Sequence, residues 1–219
     1  MRSYDQYCAV AKALDVVGDR WVLLIVRELM TAGPARYTDL LNGLPGIATN
    51  LLVDRLREME RAGLVRREEA PPPVATTLFH LTERGAALRT VLEELGRWGS
   101  PLMGVPEPGT KFRSHWLVFP LDAYLEDRTP QEPPIAVQLE TGDEAMVVEI
   151  VDGKVRTRRG TVDHPDAVLA ARPSVILGLL SGRLDLVEAR QRGLELSGDE
   201  SVLRRLIGDW GKQPQNAPR

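Results

Sequence analysis

The chain has 219 residues, 43% of them hydrophobic and 27% charged, with a net charge of −3, enough for one large or two ordinary domains. Its longest apolar runs, residues 21–26 and 175–180, are far shorter than the ~20 residues that span a bilayer. One cysteine, Cys8, excludes an internal disulfide and a cysteine-rich zinc site.

The opening "MRSYDQYCAV" lacks the basic-then-apolar plan of a secretion signal, so a cytoplasmic protein is expected. The charge is unevenly placed. The first hundred residues hold 13 Lys+Arg against 13 Asp+Glu, and the remainder 15 against 18. Twelve of the 13 N-terminal cations are arginine, the residue suited to bidentate contact with phosphate and guanine.

"YDQYCAVAKALDVVG" and "DRWVLLIVRELMTAG" read as two helices, each stopped by glycine. "RYTDLLNGLPG" reads as a short third helix that ends at Gly43, Pro45 and Gly46. In the fourth, "TNLLVDRLREMERAG", Leu52, Leu56 and Met59 recur at i, i+4 and i+7, while Asn50, Val53 and Arg57 fall opposite. "LVRREE" and "TTLFHL" are short strands around the breaker run "APPPVA", and "TERGAALRTVLEELGRWG" is a helix with Thr82 as N-cap.

Three short helices and a hairpin follow the order of a winged helix-turn-helix. A helix enters the major groove only if its inner face is anchored and its outer face is free. The Leu52/Leu56/Met59 stripe is the anchor, backed by Leu23, Leu24 and Val26 of the second helix. Thr49 and Asn50 can hydrogen-bond bases or phosphates, Val53 can meet a thymine methyl, and Arg57 or Arg36 can clamp phosphate. On patterning alone, a solvated amphipathic surface helix is an equal reading.

The motifs "YCAVAKALDVVGDRWVLLIVREL", "GPARYTDLLNGLPGIATNLLVDRLREMERAGLVRR" and "FHLTERG" make the stretch from Tyr7 to Gly99 resemble the HxlR-type transcription regulators, relatives of the MarR group. The resemblance implies a homodimer on double-stranded DNA, with the first and last helices of the domain paired across a two-fold axis. It puts Thr49, Asn50, Val53 and Arg57 on the recognition helix, and Arg36 and Thr38 on the helix before it. Two positions depart from the family pattern. Ala48 stands where serine is frequent, leaving Thr49 to cap the recognition helix. Thr76 stands where the wing commonly carries arginine, so the tip "EEAPPPVATT" offers no cation to the minor groove. A cysteine at the position of Cys8 occurs in the family's redox and electrophile sensors. The other reading of Cys8 is a small apolar residue packed on a dimer helix.

"SPLMGVPEPGTKF", residues 101–113 in the main, reads as a linker, and residues 211–219 as a disordered tail. Between them, residues 114–210 read as α+β. "HWLVFPLDAYLEDR" is a helix that Pro120 is expected to break. "IAVQLET", a hairpin turning at Asp152-Gly153 and "AVLAAR" are strands. "PSVILGLLSG", "LDLVEARQRG" and "DESVLRRLIGDW" are helices, with "LELSG" a strand between the last two. This half offers no paired histidines at metal-ligand spacing and no phosphate loop, so neither enzyme, cofactor nor metal is expected.

From "MVVEIVDGKVRTRRG" onward it resembles the sterol carrier protein fold, in the form appended to some bacterial regulators. That resemblance implies an apolar tunnel between sheet and helices that accepts an apolar small-molecule effector, with Trp116, Phe119, Leu139, Val148, Leu169, Ile176 and Leu180 as lining. Ordinary core is the competing reading of each. The expected function is a ligand-responsive repressor on a palindromic operator. A carrier of apolar molecules whose helical half only dimerises is the rival.

Overall fold

An apolar stripe at helical spacing has to be covered, and the first ninety residues cover theirs by crossing short helices. The computed structural model describes residues 3–71, 76–103 and 109–206. The chain divides into two compact units between Leu95 and Gly96, a boundary that falls within the last helix of the first run of elements, Arg89–Gly99.

The first unit runs α1 (Ala9–Val17), α2 (Val22–Ala32), β1 (Ala35–Arg36), α3 (Tyr37–Gly43), α4 (Thr49–Arg61), β2 (Val65–Glu69), β3 (Thr77–Leu81), α5 (Glu83–Ala86) and α6 (Arg89–Gly99). Leu52, Leu56 and Met59 of α4 are buried in one cluster with Val22, Ile25, Val26 and Leu29 of α2 and Leu40 of α3. Leu23 is half-exposed and outside this cluster, whereas Leu24 packs against it, and the rest of the backing comes from Ile25, Val26 and Leu29. Helix α4 ends where Gly63 takes a φ of +68°, a conformation that costs glycine little.

The wing is a three-stranded sheet of order β1-β3-β2, because Ala35 and Arg36 pair with Phe79 and Leu78. A two-residue strand carries no periodicity, and only its partner reveals it. The expected tip at residues 72–75 lies outside the described residues.

The helix expected over residues 82–99 is two. Thr82 caps α5 by accepting from the Gly85 N–H at 3.1 Å. It also donates to the Gly63 carbonyl at 2.6 Å, while its own N–H donates to Leu64 O at 3.0 Å. A Cβ on Gly85 would collide with the Leu64 carbonyl oxygen, so the glycine of "LTERG" is there for close approach. The chain turns at residues 87–88 before α6 begins. Helix α1 likewise starts later than expected, at Ala9, with Cys8 as its N-cap residue.

The second unit begins, after a 3-10 turn at Ser100–Leu102 and the partly undescribed linker, with a 3-10 turn at Ser114–Leu117. Then come α7 (Val118–Tyr124), β4 (Ile135–Thr141), β5 (Glu144–Val151), β6 (Lys154–Arg159), β7 (Ala167–Ala170), α8 (Pro173–Leu180), α9 (Leu186–Gln191), β8 (Glu195–Gly198), a 3-10 turn at Glu200–Val202 and α10 (Leu203–Leu206). Pro120 does not break α7. It falls in the first turn, where a missing N–H removes no intrahelical bond. The expected continuation of the last helix to residue 210 and the tail at 211–219 lie outside the described residues.

The five strands are ordered β6-β5-β4-β7-β8, antiparallel except for the parallel β4–β7 pair. Asp152 and Gly153, with φ of 52° and 73°, make the tight β5–β6 turn that such a dipeptide favours. Val137, Leu139, Met146, Val148, Ile150, Ala167 and Leu169 on one sheet face share a core with Val175, Ile176, Leu179 and Leu180 of α8. The edge strand β6 is shielded, since Asp122 of α7 accepts from the Thr157 N–H at 2.7 Å. At the far end Arg205 is buried, paired with Asp127 at 3.1 Å and donating to Pro133 O at 2.6 Å.

The segment entering this unit is clamped to the β4–β5 turn. Buried Ser114 donates to the Thr141 carbonyl and accepts from the Asp143 and Glu144 amides. Asp143 accepts from the Ser114 N–H at 2.9 Å and from Arg113 at 2.9 Å. Burial opposes the charge on Asp143, but these donors outweigh it and hold the pKa down at about 2, against 3.8 ordinarily. The stability this contributes is complete above pH 4 and is lost as pH falls toward 2. Asp143→Asn should therefore lower the unfolding temperature near neutral pH and flatten its decline across that acid window. Parallel wild-type and variant curves from thermal unfolding across pH would contradict the clamp.

Candidate nucleic-acid interface

Helix α4 has its anchored side turned to α2, and Asn50, Asp54, Arg57 and Arg61 stand exposed on the other, with Val53 half-buried among them. The geometry thus joins the expected Thr49, Asn50, Val53 and Arg57 on one element. Arg36 and Thr38 are exposed at the start of α3, where the Arg36 N–H donates to Asp39 at 3.1 Å.

Tyr37, which no sequence pattern singles out, ties the two groups together. Its hydroxyl donates to the Thr49 carbonyl at 2.8 Å, pinning the first turn of α4 to the first turn of α3. Its ring shares a shallow groove with Val53, Leu56, Arg57, Glu60, Arg67 and Phe79, between α4 and the wing. No periodicity marks such a residue; only the contact does.

The N-cap of α4 is Ala48, and it makes no side-chain bond. Thr49 does not take over, as had been expected. Asn50 Oδ1 accepts from the Leu51 N–H at 3.0 Å, which leaves the asparagine's amino group as its outward donor. First-turn amides that no side chain caps favour an anion such as a phosphate.

The arginines divide into committed and uncommitted. Arg55 is held by Asp19 at 3.0 Å and by Glu58, which braces α4 against the α1–α2 turn. Arg66 pairs with Glu68 at 2.5 Å and Arg67 with Glu60 at 2.9 Å, so the cations of the wing strand already have carboxylates. Arg57 lies 3.9 Å from Asp54, and both side chains remain about two-thirds exposed.

The HxlR-like helix-turn-helix family matches residues 16–105. The HTH-type transcriptional regulator YvaP of Bacillus subtilis (strain 168) is 35% identical over 89 residues, which cover 41% of this chain and 82% of that protein. The regulator YodB of the same organism is 34% identical over 97 residues, covering 44% and 83%. The chain belongs to the HxlR-like family. A solved structure, the reduced form of YodB, has 32% identity, covers 48% of this chain and all of that one, and superposes with a TM-score of 0.40. As a member of the HxlR-like family the protein is a DNA-binding transcription regulator with a helix-turn-helix. The family match covers residues 16–105 and ends before the five-stranded α+β unit.

In that second unit Leu139, Val148, Leu169, Ile176 and Leu180 are fully buried in a single core cluster. Phe119 is buried too, and Trp116 is half-buried, edge-on to Phe112 with ring centroids 6.2 Å apart. Among the described residues no helix is long and apolar enough to cross a membrane, and no three His, Cys, Asp or Glu side chains are grouped to hold a metal.

Cys8 is exposed at the N-cap of α1. Hydrogen bonding from the Ala11 and Val10 backbone amides lowers its thiol pKa, the helix N-terminus favouring the thiolate. Neither condition is readable from "QYCAV". The rate of Cys8 alkylation in the native protein should therefore inflect at a lower pH than in the urea-unfolded chain. Coincident inflections in the two states would remove the helix from any role in its reactivity.

Proposed function

We propose that the protein is a homodimeric, ligand-responsive repressor that binds a palindromic operator. The observation that carries this reading is α4 itself: three inward apolar side chains are buried while Asn50 and Arg57 stand exposed opposite. Arg36 and Thr38, tethered through Tyr37, take the neighbouring phosphates, and Thr49, Asn50, Val53 and Arg57 take the major groove.

Dimerisation is supported by the apolar side chains that α1 and α6 leave uncovered. Tyr7, Val10 and Leu14 are exposed along α1 and the residues before it, and Val91, Leu95 and Trp98 along α6, where no residue is buried. A second copy on these helices would set the two recognition helices ~34–36 Å apart, one turn of DNA. The cytoplasm, with the DNA, is the compartment this reading requires.

The α+β unit we assign to effector binding. Its order of hairpin, apolar strand, helix pair and returning strand supports the resemblance to the sterol carrier fold. Leu139, Val148, Leu169, Ile176 and Leu180 are already buried in one core cluster, so an apolar ligand lined by them, Trp116 and Phe119 would need α8 to move off the sheet. Cys8 is a second input, its exposed thiol, with a lowered pKa, open to electrophiles.

The decisive test is band-shift titration on the chain's own upstream DNA. Asn50→Ala and Arg57→Ala should each weaken specific binding by ~1–3 kcal/mol with unchanged thermal unfolding, and sedimentation should show a dimer at micromolar concentration. Unaltered affinity in both variants would remove α4 from recognition, and a monomer on DNA would remove the two-fold operator.

Effector coupling is tested separately, by titrating hydrophobic fluorescent probes and lipid extracts with and without operator. A coupling of ~1–3 kcal/mol shifts affinity roughly 5- to 150-fold, and by linkage the shift is the same in both directions. Equal ligand affinity with and without DNA would make the two units merely tethered.

A further inference from the structure

Between Asn50 and Arg57, on the outward face of α4, stands an acid. Asp54 lies one turn on from Asn50 and three residues before Arg57, with its side chain 63% exposed. A carboxylate there is repelled by every phosphate that a docked duplex brings near. The rest of the helix-turn-helix gives little to offset this, since residues 36–69 hold six arginines and six acids. The other carboxylates of α4 are occupied: Glu58 with Arg55 and Glu60 with Arg67. Asp54 meets Arg57 only at 3.9 Å, and a pair so exposed adds little to helix stability.

The chemistry of the pair suggests what it meets. A carboxylate only accepts hydrogen bonds and a guanidinium only donates them. In the major groove a C·G pair offers the N4 amino donor of cytosine beside the O6 and N7 acceptors of guanine. Residues three apart on a helix have Cβ atoms ~5–6 Å apart, close enough to share one base pair. We propose that Asp54 is a specificity residue: it accepts from the cytosine amino group of one C·G pair in each half-site, while Arg57 donates to the guanine of that pair. Neither a T·A nor an A·T pair presents that combination, and a reversed pair swaps donor and acceptor positions. The proposal rests on α4 being the recognition helix.

The test is selection from random duplex DNA with the full-length wild type, Asp54→Ala and Asp54→Asn, followed by affinity measurement on the selected sequences. The wild-type half-site should contain one C·G pair whose replacement by T·A weakens binding about 5- to 150-fold. Asp54→Ala should select the same half-site with that position degenerate, and the base replacement should then change its affinity less than about twofold. Asp54→Asn should shift the position toward A·T, because asparagine pairs with adenine N6 and N7. The base replacement made on wild-type protein tests the contact without any folding question. If Asp54→Ala keeps the full preference and merely binds all DNA more tightly, Asp54 is only a repulsive charge and the proposal falls, with α4 still the reader. If the wild type selects no motif, the reading of α4 falls with it.

Discussion

The burial of Leu52, Leu56 and Met59 in one cluster with α2 is the interaction on which the outward face of α4 depends. Each side chain withdrawn from water is worth ~1.5–3 kcal/mol, so together they fix the rotation of α4 about its own axis. A rotation by one residue, ~100° on a helix, would drive Arg57 toward the core and expose Leu52. The amphipathic stripe therefore decides which side chains face outward before any of them meets a partner. Two polar ties refine the placement. Tyr37 holds the N-terminal end through the Thr49 carbonyl, and Arg55 holds the middle through Asp19.

Electrostatics give the outward surface an unusual character for a DNA reader. Acids balance arginines across the helix-turn-helix, and the two arginines of the wing strand are spent on Glu60 and Glu68. Binding by phosphate neutralisation grows with the number of free cations and weakens with salt accordingly. With these arginines already paired, the proposed mode of binding draws more of its affinity from base contacts, the helix N-terminus and a second copy of the same surface. The exposed apolar residues of α1 and α6 fit that dependence on a partner, because a small domain gains little by leaving Trp98 and Val10 in water.

The second unit is built on a different principle. Its core is closed by one sheet face against α7 and α8, and two of its polar ties fix the ends of the unit. One is Arg205 with Asp127, where α10 meets the segment leading to β4. The other is Ser114 with Asp143, where the chain enters the unit. Buried polar groups that are fully bonded make an arrangement specific more than they make it stable. Both ties sit at chain entry or exit points, where a loose arrangement would let the strand order fray. The stretch after the linker is thus held to the sheet itself.

The elements with a period were legible in the sequence: α2 and α4 by apolar stripes, β4 and β5 by their short apolar runs, the β5–β6 turn by Asp152-Gly153, and α5 by Thr82 as a cap. So was the face of α4 that carries Asn50, Val53 and Arg57, since burying one side of a helix exposes the other. Tertiary contact decided the rest. β1 exists only because β3 offers it backbone partners, and the break after α5 follows from the Gly85 approach to the Leu64 carbonyl. Pro120 was tolerated because the helix begins just before it, a boundary that no local signal marks. The roles of Tyr37, Arg205 and Ser114 rest on partners 12, 78 and 29 residues away. Sequence periodicity reports how a segment divides its own surface between water and core. It holds no record of which distant carbonyl or carboxylate will stand opposite a polar side chain, because that is set only when the elements pack.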